Sequence, residues 1–156
     1  MPIRPATVTD VPSMIVLADA KRSEYAGYAP TFWRKAPDGA ERQAPYFASL
    51  LERAEVIALV HEQVSGITGF VIASITTAPP VYDPGGPVCV IDDFTVATPD
   101  DWPSVGAVLL TAVRSQAQTQ GATLAVVVCA HLDEPKRAML RAAGFAVASE
   151  WYVNPL

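Results

Sequence analysis

The stretch from Val88 to Leu110 constrains this chain more than any other. Val88-Cys89-Val90-Ile91 reads as a buried strand, two carboxylates follow at Asp92 and Asp93, and Phe94-Thr95-Val96 completes it. Thr98 to Ser104 carries Pro99, Pro103, Asp100 and Asp101, the composition of a turn. From Val105 the apolar positions Val105, Val108, Leu109, Ala112 and Val113 keep the spacing of one helix face. A strand, a tight turn and a helix aim the helix's unpaired N–H groups at the crevice beyond the strand, the usual ligand position in open sheets.

The rest of the composition sets limits on what can bind there. At 156 residues, with 51% apolar and 17% charged residues, the chain reads as one globular domain over 1–156. Its longest apolar runs are too short to cross a bilayer, and no secretion signal opens it, so no membrane partner and a cytoplasmic location are expected. Cys89 and Cys129 fall in apolar strands and read as free core thiols. No His/Cys cluster has metal-ligand spacing. A net charge of −5 disfavours nucleic acid as a partner and favours a cationic substrate such as an amine.

In chain order, Ile3–Ala6 reads as a short strand, and Thr9-Asp10 cap a helix that ends near Arg22. From Ser23 to Ala44 a loop dense in Tyr25, Tyr28, Phe32 and Trp33 either lines a pocket or covers core. A second helix is expected from Arg42 to Arg53, then a hairpin of 56–62 and 67–77 joined through Gly66. His61, on that hairpin, is expected to be exposed. After the organising strand and its helix, Leu124–Ala130 reads as a central parallel strand. Asp133 caps a fourth helix that Gly144 ends, and Phe145–Val153 reads as a last strand. The expected fold is therefore α+β: a mixed sheet of about six strands, four helices, and a parallel β-α-β unit in the middle.

This order resembles the GNAT superfamily of acyl-CoA-dependent N-acetyltransferases over nearly the whole chain. Ile3-Arg4-Pro5-Ala6 with Asp10-Val11-Pro12 looks like the family's opening, and Leu140-Arg141-Ala142-Ala143-Gly144-Phe145 like its closing Gly-Phe motif. Val96 and Gly106 keep the family's spacing from the pre-turn valine to the last glycine of the phosphate loop. The loop itself departs from the pattern. Asp101-Trp102-Pro103-Ser104-Val105-Gly106 has a carboxylate where the family has a cation and a serine for its first glycine, and Leu140 replaces the usual tyrosine acid. The family also adds a further strand after the one holding Phe145, so a second subunit could complete the edge of a homodimer.

The resemblance implies acetyl-CoA as acyl donor and a small-molecule or protein amine as acceptor. Backbone amides of Phe94, Thr95 and Val96 would hold the carbonyl oxygen, and those of Ser104, Val105, Gly106 and Ala107 the pyrophosphate, with His131 and Asp133 bordering the pantetheine arm. By alternation Val90, Asp92, Phe94 and Val96 share one face, which makes Asp92 the candidate base and turns Asp93 away unless a bulge intervenes. The alternative for the pair is local capping or salt-bridging. Tyr152 or Tyr28 would supply the acid that Leu140 cannot, while Glu24, Tyr25, Tyr28, Trp33 and Glu150 would border the acceptor. The rival to an enzyme is a non-catalytic domain of this shape with a decayed donor site, which binds a ligand or a second subunit.

Overall fold

The structure, a computed structural model, describes residues 2–156. Strand β1 (Ile3–Pro5) leads through a 3-10 turn into α1 (Val11–Tyr28), and α2 (Gly39–Leu50) follows a ten-residue connection. Then come β2 (Val56–Gln63), β3 (Gly66–Thr76), β4 (Val88–Val96), α3 (Ala107–Thr119), β5 (Leu124–Val127) and α4 (Glu134–Ala142). The strands lie in chain order in one sheet; β1 to β4 pair antiparallel and β5 joins β4 in parallel. Gly66, at φ +118°, makes the tight reversal of the β2–β3 hairpin in a region that other residues avoid.

Alternation divides the apolar side chains between two layers. Ile57, Leu59, Val71, Ala73, Cys89 and Ile91 point to one face, against Leu109, Leu110 and Val113 of α3 and Met139 and Leu140 of α4. Val60, Phe70 and Ile72 point to the other, against Val11, Met14 and Ala18 of α1 and Phe47 and Leu50 of α2. Each layer is a continuous apolar cluster that buries β2 and β3 on both faces, whereas β5, expected as a central strand over Leu124–Ala130, is a four-residue edge strand with Leu124 and Val126 exposed.

The sheet has five strands where six were expected. Phe145 accepts the end of α4, its N–H bonding to the Leu140 carbonyl while Gly144 takes φ +87°. Beyond it no backbone group of 146–156 is hydrogen-bonded among the described residues, and Val147, Trp151, Tyr152 and Val153 are exposed. The period-2 pattern of a strand is present, but no edge is paired with it, and unpaired strands are not stable alone. Helix α1 runs to Tyr28, so Tyr25 and Tyr28 are helical and only 29–38 is loop; α2 begins at Gly39, before Arg42. His61 is buried, because its Nδ1 shares a 2.7 Å hydrogen bond with the Thr68 hydroxyl across the hairpin.

Candidate functional site

The site begins with a register shift. Ile72 of β3 pairs with Asp93, and the next residue, Ala73, pairs with Ile91, leaving Asp92 without a partner. Asp92 is thus the extra residue of a β-bulge, and it reverses the alternation of everything after it. Phe94 and Val96 consequently join Cys89 and Ile91 on the α3 face. Asp93 and Thr95 turn to the α1–α2 face, and Asp92 is left exposed at the bulge. The expected sharing of one face by Val90, Asp92, Phe94 and Val96 is therefore overturned, since alternation holds only where each residue has one partner.

The same point is where β4 and β5 part. Ile91 pairs with Val127, and the last bond between them runs from the Val128 N–H to the Ile91 carbonyl at 3.0 Å. Beyond it the two chains are bridged by a side chain. Lys136, from the first turns of α4, donates through Nζ to the Phe94 carbonyl (3.0 Å) and to the Val128 carbonyl (3.1 Å). It is 1% exposed and lies over the rings of Phe94 and Trp102, each 5.2 Å from Nζ. Lys21 of α1 reaches the same Phe94 carbonyl at 3.2 Å and the Asp133 carboxylate at 3.5 Å.

Burial and the neighbouring Lys21 ammonium pull the Lys136 amine down to about 7. As a neutral amine it still has two hydrogens, enough for both carbonyls. Asp133 caps α4 through the Lys136 N–H (3.4 Å) and accepts a 2.8 Å bond from the Tyr25 hydroxyl, which in turn receives the Ala130 N–H. Burial and that carboxylate hold the Tyr25 hydroxyl well above the usual phenol range.

Two hollows flank this network. A cleft of about 570 Å³ lies between α1, α2 and β4, with Tyr25, Trp33, Phe94, Thr95, Asp92 and Asp93 in its wall. It falls within the size range of small-molecule sites. Burial, reinforced by the Asp92 charge, pushes the Asp93 carboxyl up to about 6. A smaller hollow of about 220 Å³ runs from Thr95 to Pro99 and is walled by Glu24, Tyr28, Trp102 and Asp133. Trp102 is 4% exposed, edge-on to Phe94 with ring centroids 5.0 Å apart.

A coenzyme A pyrophosphate needs free main-chain N–H groups at the start of the helix after β4. Here Pro99–Asp101 is a 3-10 turn and Trp102–Gly106 one π turn, so the chain is helical from Pro99 to Thr119. The Trp102 N–H bonds to the Pro99 carbonyl, and the Ala107 N–H to those of Ser104 and Trp102. At the helix start the Asp101 carboxylate already accepts the Thr98 N–H (3.0 Å) and hydroxyl (2.9 Å), placing a negative charge at the N-terminus of this helical stretch. Val105 and Gly106 are buried, and the Ser104 hydroxyl turns back to the Asp101 carbonyl at 3.3 Å. The stretch expected to cradle the pyrophosphate, Ser104, Val105, Gly106 and Ala107, therefore lies within continuous helical turns and not in an open loop.

The other expected site residues are divided. Phe94, Thr95, Val96, Asp133, Tyr25, Tyr28, Trp33 and Glu24 line one hollow or the other. His131 is exposed at the turn before α4, and its carbonyl accepts from Arg137 at 3.0 Å. Tyr152 donates to Glu150 at 2.6 Å on the exposed tail, and neither lines either hollow. The doublet Lys136-Arg137 reads from the sequence as a solvated face, and the structure overturns this for Lys136, which is buried. Lys136, Met139 and Leu140 share the inward stripe of α4, and a lysine on an apolar stripe has to find partners in the core.

No family model matches this chain, and no curated protein does. Solved structures do. A tetramutant of the BH1408 protein from Bacillus halodurans superposes with a TM-score of 0.86 at 16% identity, over 100% of both chains. A predicted acetyltransferase with acetyl-CoA, from Clostridium acetobutylicum, gives 0.76 at 16% identity, over 98% of this chain and 94% of that one. A transcriptional regulator from Bacillus halodurans gives 0.73 at 16% identity, over 99% and 98%. The fold is shared with these solved structures, an acetyltransferase among them.

Proposed function

We propose that this chain is a small-molecule-binding protein built on the GNAT fold, with the cleft between α1, α2 and β4 as its site and the acyl-donor groove closed from within. One observation carries the reading: the Lys136 amine bridges the Phe94 and Val128 carbonyls, where the parted strands would otherwise admit an extended ligand. The likeness to a regulator as well as to an acetyltransferase is compatible with it. Calorimetric titration of acetyl-CoA and CoA into the protein is the test. No saturable heat at millimolar ligand is expected, and micromolar binding of either would overturn the reading.

A second reading, acyl-CoA-dependent transfer of an acetyl group to a small-molecule or protein amine, is favoured by Asp93. A half-buried carboxyl near pKa 6 in the wall of a cleft is suited to take the proton of an attacking amine. In that reading Asp93, and not Asp92, is the base. Thiol release from acetyl-CoA over an amine panel would support it if Asp93→Asn abolished the release; release unchanged in that variant removes Asp93 from the chemistry.

The homodimer belongs to the same proposal. Leu124, Val126 and Val128 are exposed along the free edge of the sheet, and the tail after Phe145 carries apolar residues at alternate positions with its backbone unbonded. A tail from a second copy laid on β5 would satisfy both. Sedimentation should give a dimer that truncation before Glu150 weakens; a monomer at high micromolar concentration would exclude it.

A further inference from the structure

The cleft gathers more than half of the chain's basic side chains. Of 11 Lys and Arg residues in a protein of net charge −5, six line this one hollow: Lys21, Arg22, Arg34, Lys35, Arg42 and Lys136. Only two carboxylates, Asp92 and Asp93, line it with them. Several of the cations are partly matched from outside the lining. Lys35 is 3.0 Å from Asp19, Arg42 is 2.6 Å from Asp38, and Lys21 is 3.5 Å from Asp133. Arg34 has no ion-pair partner among the described residues, and Lys136 is held by carbonyls alone.

Arg22 adds the most specific signal. Its guanidinium is engaged by Gln43 and, at 3.4 Å, by Asp19, yet its Nε–H is buried with no hydrogen-bond partner. Among the described residues it is the one buried side-chain polar atom left unsatisfied. A buried charged donor without an acceptor is costly, and because Arg22 belongs to the cleft wall, a turn of its guanidinium toward an anion bound there would satisfy it.

The cations and the carboxylates come from different walls. Arg34 and Lys35 belong to the 29–38 connection, Arg42 to α2, and Arg22 to α1, whereas Asp92 and Asp93 come from β4. The aromatic rings are on the cationic side: Trp33 lies 4.8 Å from Tyr25 and 5.0 Å from Phe32, centroid to centroid. Guanidinium groups bind planar carboxylates and phosphates in pairs of parallel bonds, and ring faces hold an apolar body beside them.

We infer that the cleft takes a small aromatic anion, its carboxylate or phosphate held by Arg22 and Arg34 and its ring packed beside Tyr25 and Trp33. The expectation of a cationic substrate from net charge gives way to the local convergence of bases on this cleft. This inference rests on the binding reading above but does not require the donor groove to be closed.

Matched probes test it. Indole-3-acetate, phenyl phosphate, neutral indole-3-acetamide and cationic tryptamine are titrated into the full chain and followed by calorimetry and amide NMR shifts. One or both anions should bind at least tenfold more tightly than the amide and tryptamine, and which anion does so identifies the head group. Arg34→Ala, an exposed change that leaves folding intact, should weaken that binding at least fivefold. Arg22→Met should weaken it further while leaving the circular dichroism spectrum unchanged. Equal binding of acetate and acetamide, or a preference for tryptamine, overturns the anion while leaving a binding cleft in place. No binding by any probe overturns both. A positive CoA titration alongside a preference for anions removes only the closed groove.

Discussion

The parting of β4 from β5 and the cleft beside it meet at Phe94, and they have been treated in opposite ways. On the side toward α4 the parting of β4 and β5 is filled: Lys136 satisfies both carbonyls, Trp102 and Phe94 cover it, and Asp133 and Tyr25 complete the network. On the side toward α1 and α2 the wall gathers bases, of which Arg34 has no ion-pair partner among the described residues, and one buried guanidinium donor has no hydrogen-bond partner. A hollow whose polar groups are all paired needs no ligand, whereas one with unpaired donors is incomplete without one. That contrast is why the proposed binding is assigned to the cleft and not to the groove between the strands.

The largest effect should come from emptying the filled side. Lys136→Ala removes a buried stem and leaves two carbonyls unbonded, which should cost about 3 kcal/mol in urea unfolding. Its pH dependence is a sharper measure. Because the folded amine titrates near 7 and the unfolded one near 10.5, the wild-type chain gains stability as pH rises between those values. The variant lacks that gain, so the difference should widen from pH 7 to pH 10. A cost below about 1 kcal/mol would mean that Lys136 does not fill the groove.

Asp93 on the open side should behave in the opposite sense. Its carboxyl is raised from 3.8 to about 6, so folding favours the protonated form and stability falls as pH rises through that interval. Asp93→Asn should therefore stabilise the chain by about 2 kcal/mol at pH 7, a gain that vanishes below pH 4. If thermal melts show the variant less stable at pH 7, the surrounding cations hold the carboxylate and the two sides are more alike than the geometry implies.

Gly106 discriminates between a phosphate loop and a packed turn. A Cβ there would lie 2.5 Å from Trp102 Cε3, inside contact distance, so Gly106→Ala should cost about 1–2 kcal/mol without any ligand present. If instead only CoA binding suffered, the groove would be a donor site after all. The smallest effect belongs to Tyr152→Phe. Its side chain is 87% exposed and bonded only to Glu150, so stability should change by less than about 0.5 kcal/mol and binding in the cleft not at all. A loss of ligand binding in that variant would bring the tail into the site.

How much of this was legible beforehand differs by element. The order of the helices and the first five strands follows from periodicity and breakers, because apolar alternation in β2 and β3 and the stripes of α3 and α4 each report on a local surface. The bulge was not legible. Nothing in Val-Cys-Val-Ile-Asp-Asp-Phe-Thr-Val marks which residue lacks a partner, since that is a property of the register with β3. Exchanging Asp92 for Asp93 follows from this one slip. The last strand failed for a related reason: Phe145–Val153 has the pattern of a strand, but a pattern does not provide an edge to pair with.

By itself, then, the sequence determined the layered α+β sheet, the turn at Gly66, the cap at Asp133 and the presence of two carboxylates at the exit of β4, all of which depend on neighbours a few residues apart. Only the tertiary structure decided that the expected turn before α3 winds into helical turns from Pro99 to Gly106, that Lys136 reaches across to the parted strands, and that six bases scattered from 21 to 136 converge on one cleft. Charge and hydrogen bonds act through space over a few ångströms, and which residues come that close is fixed by packing.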